Sequence, residues 1–296
     1  MLARGLAYVF TVLLASFGVA QTPQALPERP IELVAATLAV LDHKGHLIKD
    51  LNSEQFTVLD NGKPAKLAAF EGAGARPLHL AIVVDKSRSM WERLPATQQA
   101  LEGFVQEIIR PDSDQAFVLA FDEVLDQVTD FTSDPKLLSA GINRIRRGGG
   151  SSVWDAVYFA CRDRLAREPH DARLALVLLS DTDDNQSRVT RKETVEMAER
   201  IGVTIYVIGT DQESDRGAYS GKTIAGSTGG QAFFPKTRDL SKALHEVAEE
   251  LQAQYFLAFR PPDPKHDGQF HSIQVHLENK DLKARTRKGY YALNQK

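Results

Sequence analysis

The sequence predicts an α/β chain in which a doubly wound, mostly parallel sheet is inserted into a small β domain formed by the N- and C-terminal segments. Three observations point there. Residues 80–84, 116–121, 174–179 and 203–208 are unbroken apolar runs, and unbroken rather than alternating apolarity suits strands buried on both faces of a parallel sheet. Amphipathic stretches accompany them: Leu101, Phe104, Val105, Ile108 and Ile109 share one helical face, as do Leu240, Leu244, Val247, Ala248 and Leu251. Before and after this region come short β-patterned segments punctuated by turn residues.

Residues 1–20 carry one charge, Arg4, ahead of an apolar run over 6–17, and end in the small residues Gly18-Val19-Ala20. That layout is expected of a secretory signal peptide cleaved before Gln21. The run is shorter than the ~20 residues of a membrane span, and no cysteine follows it to carry a lipid. The mature chain is therefore expected outside the cytoplasm, in the periplasm, the cell envelope or the medium, with no stable membrane span.

Residues 21–75 form the N-terminal β segment. Pro23, Pro27 and Pro30 mark a spacer, residues 33–41 are apolar, and His43-Lys44-Gly45-His46 makes a turn. Residues 56–59 precede Asp60-Asn61-Gly62-Lys63, whose Asn-Gly pair suits a tight hairpin. The stretch from Gly72 to Pro77 is a boundary. Residues 76–255 form the α/β domain. Within it, residues 124–131 follow the second strand too closely for a helical crossover and are expected as an antiparallel edge partner. From Tyr255 the β pattern returns, at 255–259, 271–277 and 282–291, and residues 256–296 form the C-terminal β segment. Neither terminal segment alone looks large enough for a core, so 256–296 is expected to pair with 21–75.

Composition narrows the function classes. The 296 residues are 43% hydrophobic and 25% charged with net charge −3, which gives no basic face for nucleic acid. The single cysteine, Cys161, excludes an internal disulfide. It lies with Val157 and Leu165 on one helical face and reads as a buried filler.

Open α/β sheets bind ligands outside the carboxyl ends of their strands. Asp85-Lys86-Ser87-Arg88-Ser89-Met90 follows the first run, Ser180-Asp181-Thr182-Asp183 follows 174–179, and Gly148-Gly149-Gly150-Ser151-Ser152 opens a helix near Val153. These loops offer carboxylate and hydroxyl oxygens without histidine or thiol, a donor set that favours magnesium, calcium or manganese. Asp85, Ser87, Ser89, Ser151 and Asp181 are the candidate ligands, with Asp85 expected at a solvent-facing strand end. Ser152, with Asp155 three residues on, fits an N-capping pattern; Asp183 and Asp184 read as solvated loop acids.

At these residues the chain resembles the von Willebrand factor A (VWA) family, of the exported bacterial type. That family's metal-ion-dependent adhesion site (MIDAS) reads Asp-x-Ser-x-Ser, a threonine in a Gly-rich loop, and a later strand-end Asp. Asp85, Ser87 and Ser89 match the first element, Ser151 with Gly149-Gly150 and Val153-Trp154-Asp155-Ala156 is similar to the second, and Asp181 matches the third. Thr228-Gly229-Gly230 is similar to a late segment of the family. The resemblance implies a Rossmann-like sheet, one Mg2+ (or Mn2+/Ca2+) ion, and a protein partner whose Asp or Glu carboxylate completes the ion's shell. Arg88 and Thr182 stand where the family usually has glycine; Thr182 is strained only if its position needs positive φ.

Other motifs are set aside. Ser220-Gly221-Lys222-Thr223 has Arg216 where a phosphate-binding loop needs glycine, so no nucleotide is expected. His271 and His276 lie five apart on a strand, point to opposite faces, and read as solvated; His43 and His46 read likewise. The basic stretch from Arg285 to Tyr291 reads as a charged edge strand that resists aggregation. The function expected is an exported, metal-dependent protein-binding module for adhesion or assembly, not an enzyme. The alternatives are a metal-dependent hydrolase, which the absence of histidine from all three loops disfavours, and an envelope scaffold whose metal is only structural.

Overall fold

The computed structural model describes residues 33–169, 171–210, 214–292 and 294; the expected signal peptide and the spacer at 21–30 lie outside the described residues. Strand β1 (Val34–Leu41) is followed by the hairpin β2 (Phe56–Asp60) and β3 (Lys63–Glu71). Its turn residues Asn61 and Gly62 have φ of 47° and 76°, the two positive values a two-residue hairpin of this hand requires. An alternation then begins with β4 (Leu78–Asp85), α1 (Leu94–Ile108), β5 (Gln115–Phe121), β6 (Leu125–Thr132) and α2 (Pro135–Arg144). It continues with α3 (Val153–Phe159), β7 (Arg173–Leu179), α4 (Arg191–Ile201), β8 (Thr204–Ile208), α5 (Asp215–Thr228), β9 (Ala232–Phe233) and α6 (Leu240–Ala253). The chain closes with β10 (Tyr255–Arg260), β11 (Phe270–Leu277), β12 (Lys283–Thr286) and β13 (Gly289–Tyr291).

Six strands in the order β6-β5-β4-β7-β8-β9 make the central sheet. All its pairings are parallel except β5 with β6, the antiparallel edge expected for 124–131. Every residue of β4 is buried. Leu80, Ile82 and Val84 face the helices α1, α2 and α6, while Ala81 and Val83 face α3, α4 and α5. Each such apolar side chain contributes roughly 1.5–3 kcal/mol of burial, so both faces demand apolar residues and the run is unbroken. The strand order reverses at β4: the chain proceeds to β5 on one side and later returns to β7 on the other. The carboxyl ends of β4 and β7 flank that switch point.

The second sheet is antiparallel and ordered β12-β1-β10-β3-β2-β11-β13. The two ends of the chain interleave in it. β10 lies between β1 and β3, with Leu38 opposite Tyr255 and Phe70 opposite Leu257, and β11 pairs β2 with Val58 opposite Val275. Leu38, Val40, Phe56, Val58, Tyr255, Leu257, Phe259 and Ile273 form its core. The described residues belong to one compact unit, and no helix among them is long and apolar enough to cross a membrane.

Two expectations are corrected. β12 does lie at a sheet edge, and Lys283 and Lys288 are exposed there, but Arg285 and Arg287 are not a solvent-facing guard. Arg287, 8% exposed, donates to the backbone oxygens of Glu199 on α4 (2.8 Å) and Ala35 on β1 (2.5 Å). Arg285 donates to Gln231 Oε1 (2.5 Å) and pairs with Glu250 on α6. These arginines bond the terminal sheet to the helical layers, and burial draws the Arg287 pKa down to about 10. His271 is buried, not solvated: its ring nitrogens lie 3.0 Å from Asn61 Nδ2 and 3.3 Å from Asp267 Oδ1. His276 is exposed as expected. Ser220 to Thr223 lie within α5. Cys161 is buried with Val157 and Leu165, and burial raises its thiol to about 12.

Candidate metal centre

Asp85 ends β4, and the chain turns at once because the Ser87 N–H donates to Asp85 Oδ1 (2.8 Å). A short 3-10 turn over Arg88–Met90 then presents Ser89, whose Oγ lies 3.2 Å from Ser87 Oγ. The Gly-rich loop is fastened to this segment by its backbone: Gly148 N–H donates to the Lys86 carbonyl (2.7 Å), and Arg88 N–H to that of Gly149 (2.9 Å). A Cβ at Gly148 would meet Asp122 Oδ2 at 2.2 Å, so this close approach needs glycine. Asp122 Oδ2 accepts from Gly149 N–H (3.1 Å) and Glu123 Oε1 from Gly150 N–H (3.0 Å). Held this way, the loop carries Ser151 Oγ to 3.3 Å from Asp85 Oδ2. The third loop leaves β7 through Ser180, which donates to Asp85 Oδ2 at 2.7 Å, and continues into Asp181. Asn185 accepts from the Ser151 N–H (3.1 Å) and locks the second and third loops together.

Asp85, Ser87, Ser151 and Asp181 are 1%, 3%, 2% and 8% exposed, while Ser89 faces solvent. Asp85 is thus buried rather than solvent-facing. Burial pushes its carboxyl up to about 6, the charge of Asp181 pushes the same way, and hydrogen bonds from Ser87 and Ser180 only partly offset them. A desolvated carboxylate beside a second one, amid hydroxyls and with no ammonium or guanidinium partner among the described residues, has the chemistry of a hard-cation site. No group of three or more His, Cys, Asp or Glu that could hold a metal exists among the described residues. Two carboxylates with serine oxygens fit magnesium or manganese, which take few carboxylates and keep positions for water or an outside ligand.

Ser152 occupies the N-cap position of α3 but makes no side-chain capping bond. Ser187 does that work from the third loop: its Oγ accepts from the N–H groups of Trp154 (3.0 Å) and Asp155 (3.1 Å). Asp155 accepts from Arg188 and Val189 instead. Asp183 is exposed, as expected of a solvated acid, and accepts from Ser214 Oγ (2.8 Å), whereas Asp184 is half-buried and accepts from Ser187 Oγ (2.5 Å). The sequence reading passed over Ser180, Ser187 and Asp122; only Ser180 carried a signal, as a hydroxyl next to Asp181. Thr182 has φ of 53° and donates to the Gly217 carbonyl at 2.6 Å, and the exposed Arg88 lies over the Trp91 ring, 5.5 Å from its centroid.

Solved structures similar to this chain share its fold. A von Willebrand factor type A structure from Catenulispora acidiphila superposes with a TM-score of 0.54 at 11% identity, covering 88% of this chain and 74% of that one. The von Willebrand factor domain of a type V pilus tip protein from Porphyromonas gingivalis does so at 0.51 and 14%, covering 59% and 94%. Proximal thread matrix protein 1 of the mussel byssus, with a zinc-occupied MIDAS motif, reaches 0.53 and 19%, covering 65% and 49%. Among curated proteins, 148 residues are 30% identical to isocitrate dehydrogenase (NADP) of Corynebacterium efficiens, over 44% of this chain but only 19% of that protein. The family model of the von Willebrand factor type A domain matches residues 79–250, more than half of the sequence and the whole span from β4 into α6. The chain belongs to the von Willebrand factor type A domain family.

Proposed function

We propose that the chain is an exported, metal-dependent protein-binding module for adhesion or assembly. In this reading Asp85, Ser87, Ser89, Ser151 and Asp181 hold one magnesium or manganese ion, and an Asp or Glu side chain of a partner protein completes its shell. The observation that carries the reading is the buried Asp85 carboxylate, approached by Ser87, Ser151 and Ser180 from three loops at the switch point of the sheet. A bound ion would supply the positive charge that this pair of carboxylates lacks and a Lewis-acidic position for an anionic ligand. Asp85 is oriented by Ser180, Ser151 by Asn185, and the Gly-rich loop by Asp122 and Glu123, so the donors are preorganised. Hydrolysis would need a general acid or base beside the metal, and the three loops contain no histidine. An extracytoplasmic location rests on the expected signal peptide and on the likeness to a pilus tip protein.

The test is reciprocal. A capped peptide with one central aspartate should bind the full chain more tightly with manganese than with chelator, and manganese should bind more tightly with peptide by the same factor. Asp85→Ala should lose both effects. Peptide binding indifferent to metal in the wild type would overturn the proposal.

A further inference from the structure

Beside the metal centre two arginines share one aromatic platform. The guanidinium carbons of Arg88 and Arg147 lie 5.5 Å and 5.7 Å from the centroid of the Trp91 ring. Both side chains are exposed, and neither makes an ion pair or side-chain hydrogen bond among the described residues. The nearby acids do not serve them. Asp122 and Glu123 are taken by the amides of Gly149 and Gly150, and Lys86 lies between Asp122 (3.9 Å) and Asp126 (3.7 Å). The platform itself is fixed, since the Trp91 indole N–H donates to the Gly148 carbonyl at 3.0 Å. Arg88 sits between Ser87 and Ser89, and Arg147 directly precedes the loop that delivers Ser151, so the pair is tied to two of the three site loops.

Cation–π contact explains why each arginine lies over the ring. It does not explain why two like charges gather there without a carboxylate, in a chain whose net charge is −3. Guanidinium groups match carboxylates through paired N–H donors. Resting on the metal-site reading above, we propose that Arg88 and Arg147 on Trp91 form a second anchoring point for the partner. The ligand class is then a protein segment with two acidic side chains close in sequence, one directed to the metal position and the other to the arginines.

Calorimetry on the full chain with manganese decides this, using capped peptides of equal length. One carries a single aspartate; the others add a second aspartate at one to four residues' separation. The best two-aspartate peptide should bind wild type about five- to tenfold more tightly than the one-aspartate peptide, with the advantage shrinking at about 0.5 M salt. In R88Q/R147Q the ratio of the two affinities should fall to about one, and R147Q alone should lower it part of the way. The ratio is taken within each protein, so a change in metal affinity does not enter it. A wild-type ratio near one, or a ratio unchanged in R88Q/R147Q, would overturn the proposal even where manganese and the single aspartate bind. If wild type takes up no manganese, the metal reading falls and the two-point anchor falls with it, an outcome distinct from a ratio near one in manganese-loaded protein.

Discussion

The carboxyl of Asp85 ionises only near pH 6 in the folded chain, against 3.8 for an ordinary aspartate, because burial outweighs the hydrogen bonds it receives. For an acid whose folded pKa is raised, stability is greatest while the group is protonated in both states. It falls as pH rises from about 4 to about 6, and the penalty is then constant. In chelator at pH 7, Asp85→Asn should therefore unfold at higher urea than wild type, by roughly 1–3 kcal/mol, with the gap closing near pH 4. Asp85→Ala is the poorer variant for stability, since it leaves the donors of Ser87, Ser151 and Ser180 without their acceptor. Thr182 holds a backbone conformation that costs a β-branched residue roughly 1–3 kcal/mol, offset by its bond to Gly217. Thr182→Gly relieves the strain but loses that bond and adds chain entropy, so its stability in urea should stay within about 1 kcal/mol of wild type. Asp85, Ser87 and Ser89 stood out together because their spacing is local, whereas Ser151, 66 residues on, entered through the likeness of its Gly-rich loop to the family's second element. Ser180 reaches Asp85 across 95 residues, a pairing that only the strand order reveals.

The N-terminus of α3 shows how an element can look complete in sequence and be finished elsewhere. Ser152 has the right place for a cap, yet Ser187, on the loop after β7, accepts from the second and third amides of the helix and donates to Asp184. Ser187→Ala should cost about 1–2 kcal/mol in urea unfolding and Ser152→Ala much less; the reverse order would restore Ser152 as the cap. The strands of the central sheet were legible because burial on both faces writes an unbroken apolar run. The hairpin at Asn61-Gly62 was legible because few residues accept its positive φ. The one-turn widening at Ala160–Arg164, where the helix after α3 adopts π geometry, left no mark in the apolar pattern around Cys161.

At the scale of the whole molecule, the terminal segments were legible as two incomplete cores, but alternating apolarity names no neighbour. Both partners of β1, β10 and β12, come from the C-terminal end. Deleting residues 256–296 should thus abolish hydrogen-exchange protection in β1 while the central sheet stays protected; undiminished protection in β1 would contradict this division of the chain. Charge in the sequence likewise did not show which way Arg285 and Arg287 face, and both turn inward to α6 and α4. All of this scaffolding holds three loops at one sheet edge, where the proposed divalent ion would sit. Calorimetric titration of manganese into wild type and Asp85→Asn decides whether it does. Wild type should take up one ion per chain at pH 7, with affinity falling by up to about tenfold per pH unit below about 6 as Asp85 protonates, and Asp85→Asn should take up none. No uptake by wild type at millimolar manganese, or equal uptake by Asp85→Asn, would contradict it.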